Sequence, residues 1–219
     1  MLPKIRPLIG IVSRFKFQSQ RDDCWAVSIH NILEELAERL DRPSLRQSEA
    51  RLNRAMGYGR GLGALNIRID RVRPAVNELI GPLGFELIEE SLVGFDGLLV
   101  NLSSDGFSYP IAGMSFQYLA DKPKQASLRF EGEPASSVDH TVIVLAADTE
   151  EVTVFDPMER FSKAGKGGDG LISLSTPAFL SYWSQASVER EWLMYAAPVK
   201  RRREKTLLDY TGGENAPER

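Results

Sequence analysis

The residue types that carry nucleophilic chemistry are scarce in this chain, which narrows where such chemistry could sit. The 219 residues hold one cysteine, Cys24, and two histidines, His30 and His140. A cysteine nucleophile needs a base within hydrogen-bond reach and a third group that holds the base in the right tautomer. Cys24 opens a stretch that reads as a helix. Apolar residues recur at Trp25, Ile29, Ile32, Leu36 and Leu40, with Glu34, Glu35, Glu38 and Arg39 off that stripe. Asp22 and Asp23 are good N-cap residues, so the thiol is expected in the first turn. Orphan amide N–H groups and the helix dipole favour thiolate there. A lone cysteine taken at random is more often a small core hydrophobe. The neighbouring residues weigh against that reading.

Of the two histidines, His30 lies six residues after Cys24 on the same helix. That is about 240° round the axis, too far for its ring to reach the thiol, so His30 reads as a structural or surface histidine. His140 is left as the base. It begins the β-branched run Thr141–Ala147, followed by a turn at Asp148–Glu151 and a second strand, Val152–Phe155, ended by Asp156-Pro157. Folding this hairpin brings His140 and Asp156, 16 residues apart, to one edge of the sheet. They come within about three residues of facing. Each has a plainer reading by itself. A histidine opening an apolar strand is more often structural, and Asp-Pro is most often a strand-ending turn.

The conjunction is what carries weight. Gln18, five residues, Cys24 and then Trp25-Ala26-Val27-Ser28 resembles the nucleophile segment of papain-like cysteine peptidases. Asp23 beside the cysteine resembles the bacterial branches, which include double-glycine leader peptidases of bacteriocin exporters and avirulence-type effector proteases. The strand ending in Asp156-Pro157, a glycine loop and the Phe179–Trp183 helix resemble the leader-peptidase branch in particular. The likeness covers residues 18–40 and 140–185 and says little about 44–138.

The resemblance implies roles. Cys24 would attack a carbonyl, with the Gln18 side chain and the Cys24 backbone N–H binding the oxyanion. His140 would be the general base and Asp156 its orienting partner. Many family members carry a neutral Asn where this chain has Asp156, and a carboxylate should stabilise the imidazolium more strongly. The implied fold is α+β and papain-like. A helical lobe, about 18–90, would carry the nucleophile helix and pack on an antiparallel sheet lobe, about 98–197. Residues 1–197 would form one domain, and 198–219 a disordered tail. The implied function is a cysteine peptidase cleaving a peptide or isopeptide bond through a thioester, conceivably as a delivered effector or toxin. An acyltransferase or glutamine deamidase would carry the same residues, and a non-catalytic binding module is the third reading.

The remaining elements read less sharply. Ser44 can cap a helix running to about Met56, and Asp70 to Leu79 reads as another. Between them Gly57–Gly63 carries alternating glycines without a following Gly-Lys-Ser/Thr, so a cleft-rim loop is expected rather than a phosphate loop. Phe85–Ile88 and Leu98–Leu102 read as short strands, and 103–138 as a loop or insertion. Further on, Leu171–Leu174 reads as a strand, Ser175 or Thr176 caps a helix through Trp183, and Glu191–Ala197 is a last strand.

Composition bounds the partners. Hydrophobic content is 42%, charged content 26% and net charge -3, ordinary for a globular chain and no reason to expect nucleic acid or a membrane. A single cysteine excludes an internal disulfide, and with two histidines leaves too few ligands for a structural zinc site. No metal or cofactor is expected. The first ten residues lack the apolar core of a signal peptide, so synthesis and folding in the cytoplasm are expected, with signal-independent export left open. Only 23 residues precede Cys24, too few for a folded inhibitory segment. Restraint, if any, would come from a separate inhibitor or immunity protein. The expected partner is a protein or peptide substrate.

Overall fold

The computed structural model describes residues 14–17, 24–57, 69–115, 117–118, 140–158, 170–186 and 190–199. Its first element is α1, Cys24–Arg39. The stripe expected on one face is instead part of a helix buried nearly all round, from Cys24 through Leu33 without interruption. Glu35 is among the buried residues, which a free carboxylate could not be. Arg39, one turn on, holds it with Nε 2.5 Å from Oε1 and also donates to the carbonyls of Asp105 and Phe107.

The single helix expected from Ser44 to Met56 is divided. Pro43–Leu45 forms one 3-10 turn, and α2 spans only Glu49–Ala55. Two anchors hold the intervening backbone extended: Leu45 is fully buried, and the Gln47 carbonyl accepts from His30. Ser48, not Ser44, is the cap, its hydroxyl accepting from Arg51 N at 3.3 Å. Ser48→Ala should therefore lower stability by about 1 kcal/mol, readable as a small fall in thermal midpoint. Next come α3, Ile69–Ile80, where a helix is expected, and β1, Phe85–Glu90.

Leu98–Leu102, expected as a strand, lies in α4, Gly94–Ser103. Leu98 and Leu102 are both buried, four residues apart, as a helix face requires. The Ser103 and Ser104 hydroxyls donate back to the carbonyls of Leu99 and Val100 at 2.6 and 2.8 Å. Short apolar runs fit either period, and here the packing chose the helix. The stretch expected to be a loop or insertion also contains a strand, β2, Ile111–Met114, buried at every position.

The remaining elements are β3, His140–Ala147; β4, Glu151–Phe155; β5, Leu171–Ser175; α5, Thr176–Ser184; and β6, Leu193–Pro198. Six strands make one sheet in the order β1-β6-β2-β3-β4-β5, every neighbouring pair antiparallel. The architecture is α+β, helices packed on this sheet. Strand β1, from the first half of the chain, pairs along its length with β6. Helix α1 packs on β3, α3 on β1, and α5 on β2, β4 and β5. Among the described residues no helix is long and apolar enough to cross a membrane. Of the two glycine loops only Gly57 and Gly170 are described; Pro198 and Val199, expected in the tail, are ordered, Pro198 ending β6 and Val199 N–H donating to the Gly84 carbonyl, while residues 200–219 lie outside the described residues.

Candidate active site

Cys24 is the first residue of α1 and is almost wholly buried. Ser28, one turn later on the same face, brings its hydroxyl to 3.4 Å from that of Thr141 at the start of β3. This contact ties the first turns of the helix to the strand that His140 opens. His140 pairs across the sheet with Met114 of β2 and is 2% exposed.

The hairpin supplies the third residue. Its last register pair is Ile143 with Phe155. One residue further along, Asp156 falls opposite Val142, on the face that His140 shares by strand alternation. His140 Nε2–H donates to Asp156 Oδ1 at 2.8 Å. That bond occupies Nε2 and leaves Nδ1 for a second partner, and the Cys24 side chain lies close enough to the ring to raise its pKa.

Asp156 is completely buried, so each of its acceptors must be met. Oδ1 also accepts from Met158 N at 2.8 Å, and Oδ2 accepts the Tyr118 hydroxyl at 2.9 Å. Its own N–H donates to the Gly170 carbonyl at 2.8 Å. The Tyr118 ring is nearly parallel to that of His140, the planes 7° apart and the centroids 6.2 Å apart.

These neighbours set the charge of His140. Burial alone would push the imidazolium pKa down from 6.5. The Asp156 carboxylate, the hydrogen bond to it and the Cys24 sulfur together more than offset burial, and the pKa is pushed up to about 9. The imidazole is therefore protonated at neutral pH. A group whose folded pKa is raised stabilises the fold fully below its unfolded value and loses that contribution as pH rises through the folded one. The thermal midpoint should accordingly fall between about pH 6.5 and pH 9. Subtracting the same scan of His140→Gln isolates this group, and parallel curves would show that it contributes nothing.

Cys24, His140 and Asp156 are thus brought together. Gln18, Asp22 and Asp23 lie outside the described residues. His30 is structural, buried in α1 with Nδ1–H donating to the Gln47 carbonyl at 2.6 Å. Sequence reasoning missed Tyr118, which falls in the stretch read as a loop and carries no local signal. It also missed the Ser28–Thr141 contact, whose partners are 113 residues apart. Among the described residues no group of three or more His, Cys, Asp or Glu could hold a metal ion. In comparisons with known proteins, no family model matches the chain and no curated protein matches it.

Proposed function

We propose that this chain is a cysteine peptidase of papain-like fold, with Cys24 as nucleophile, His140 as general acid and base, and Asp156 as the group that orients and charges His140. The observation that carries this reading is that one buried imidazole meets both the only sulfhydryl and a buried carboxylate. The raised pKa of His140 supports a resting imidazolium beside the Cys24 sulfur.

The chemistry follows from that pair. The Cys24 thiolate adds to a peptide or isopeptide carbonyl, and the negative charge moves to the carbonyl oxygen. The Cys24 backbone N–H, at the start of α1, is one donor suited to that oxyanion. The resemblance assigns the second donor to the Gln18 side chain. As the tetrahedral species collapses, His140 gives its proton to the departing amine, and a thioester is left on Cys24. Neutral His140 then takes a proton from water while the oxygen of that water attacks the thioester. Collapse releases the carboxylic product and returns thiolate and imidazolium. Asp156 keeps its charge throughout and holds the ring with Nδ1 toward sulfur.

The test is the pH dependence of Cys24 alkylation by iodoacetamide in the wild type and in His140→Ala. Ordinary thiols, with pKa about 8.5, are nearly inert at pH 6. The wild type should react at pH 6 at least about tenfold faster than His140→Ala. A rate that rises only through pH 8 to 9 in both proteins would overturn the peptidase reading and leave a binding module. If the pair is present, the products formed from a peptide library with and without an added amine separate hydrolysis from transfer.

A further inference from the structure

We infer that Tyr118 is a positioning residue of the proposed site: its hydroxyl fixes the Asp156 carboxylate, and its ring fixes the plane of His140. The inference rests on the peptidase reading and goes beyond it, because it identifies what holds the third member of the site in place. A carboxylate can turn about its terminal bond, and such torsions have broad, shallow preferences. Asp156 can orient His140 only if that turn is prevented.

Both of its oxygens are committed in different directions. Oδ1 faces His140 Nε2 and Met158 N, while Oδ2 takes the Tyr118 hydroxyl. Turning the carboxylate would break all three bonds where both partners are buried, Asp156 being 0% and Tyr118 2% exposed.

Tyr118 is itself anchored. Its backbone N–H donates to the Ser115 carbonyl at 3.0 Å, and Ser115 N–H donates to the Tyr182 carbonyl of α5 at 3.0 Å. The Tyr182 ring meets the Tyr118 ring edge-on, centroids 5.7 Å apart. Helix α5 thus holds Tyr118, Tyr118 holds Asp156, and Asp156 holds His140. On the other side the parallel Tyr118 ring lies along the imidazole and limits its tilt. Among the described residues, the groups facing His140 from the packed elements are Cys24 of α1, Asp156 after β4, and Tyr118.

The hydroxyl also tempers the field that His140 feels. Its proton points at Asp156 and offsets part of the carboxylate charge. Tyr118→Phe keeps the ring and removes the hydroxyl that donates to Asp156. The imidazolium then faces a less neutralised carboxylate, and its proton is held more tightly.

The chain has only two histidines, so proton NMR of the ring C–H signals follows His140 directly, with His140→Ala giving the assignment. In Tyr118→Phe the His140 midpoint should move up by about half a unit or more, a roughly threefold tighter hold on the proton. In an Asp156→Asn background the same substitution should leave His140 unmoved, because the hydroxyl acts through the carboxylate. A packing role alone would lower the melting temperature and leave the His140 midpoint where it is, and that result overturns the proposal. So does an equal shift in the Asp156→Asn background. Alkylation of the wild type against His140→Ala separates the two failures. If that comparison shows no activated pair, the peptidase reading falls and Tyr118 falls with it. If the pair is present and Tyr118→Phe superimposes on the wild type, only the role of Tyr118 falls.

Discussion

Asp156→Ala should lower the pKa of His140 from about 9 and reduce the stability of the fold by about 3 kcal/mol. The reasoning turns on which influence is largest. Burial is the strongest single effect on His140 and acts downward; the upward effects come mainly from Asp156, with a smaller part from Cys24. With the carboxylate gone, burial is opposed only by the smaller effect of Cys24. The stability loss has a separate source, because truncation also leaves the His140 ring N–H, the Met158 N–H and the Tyr118 hydroxyl without their acceptor in a dry interior. His140 can shed its proton, which holds the loss near the lower end for a broken buried pair. Histidine NMR titration reads the first effect and urea unfolding the second. Asp156→Asn separates them, since an amide oxygen can still accept while the charge is absent. It should lower the His140 pKa with a smaller stability loss. A His140 midpoint that stays near 9 in Asp156→Ala would mean that the carboxylate is not what keeps the ring charged.

Gly170→Ala should destabilise the protein by about 3 kcal/mol and slow Cys24 alkylation at pH 6, though Gly170 touches neither Cys24 nor His140. Two penalties coincide there. The residue has φ +77°, which favours glycine, and a Cβ would sit 2.4 Å from the Phe155 ring and 2.9 Å from that of Phe17. The Phe155 ring cannot swing aside. It is fully buried, with Phe15 edge-on at 5.1 Å and Phe17 at 5.3 Å between centroids. The added methyl must therefore move backbone. The Gly170 carbonyl holds the Asp156 N–H, and Phe155 precedes Asp156 in the chain, so the displacement reaches the carboxylate. For a domain of this size the thermal midpoint should fall by roughly 6–12 °C. A variant that melts like the wild type would show that β4 yields easily at its end. One that melts early yet alkylates normally would show that Asp156 is held by its side-chain bonds alone.

Parts of the fold were legible because their signals are local. The apolar stripe from Trp25 to Leu40 marks α1, and the run Thr141–Ala147 with its return through Phe155 marks the β3–β4 hairpin. That hairpin was enough to bring His140 and Asp156 together, since strand alternation and a short turn fix which residues share a face. The middle of the chain was less legible. Ile-Ala-Gly-Met is poor material for a strand taken alone, and β2 exists because β3 and β6 supply hydrogen bonds on both sides of it. Leu98–Leu102 has the composition of either a strand or a buried helix, and its contacts with the core decided.

What the sequence by itself determined is what lies within a few residues of the cause: the helix that Cys24 opens, the exclusion of His30 as its base, and the hairpin that aligns a histidine with an aspartate. What only the tertiary structure decided depends on groups far apart in the chain. The Tyr118 hydroxyl reaches Asp156 across 38 residues, and β1 pairs with β6 across more than 90. The charge state of His140 belongs to the same class, because it is a balance between complete burial and two neighbours brought in by separate elements. Local preferences are set by dihedral sterics and side-chain periodicity and can be read in order. Long-range partners are chosen by the packing of the whole core against the entropy of closing long loops, and no single stretch of sequence carries that balance.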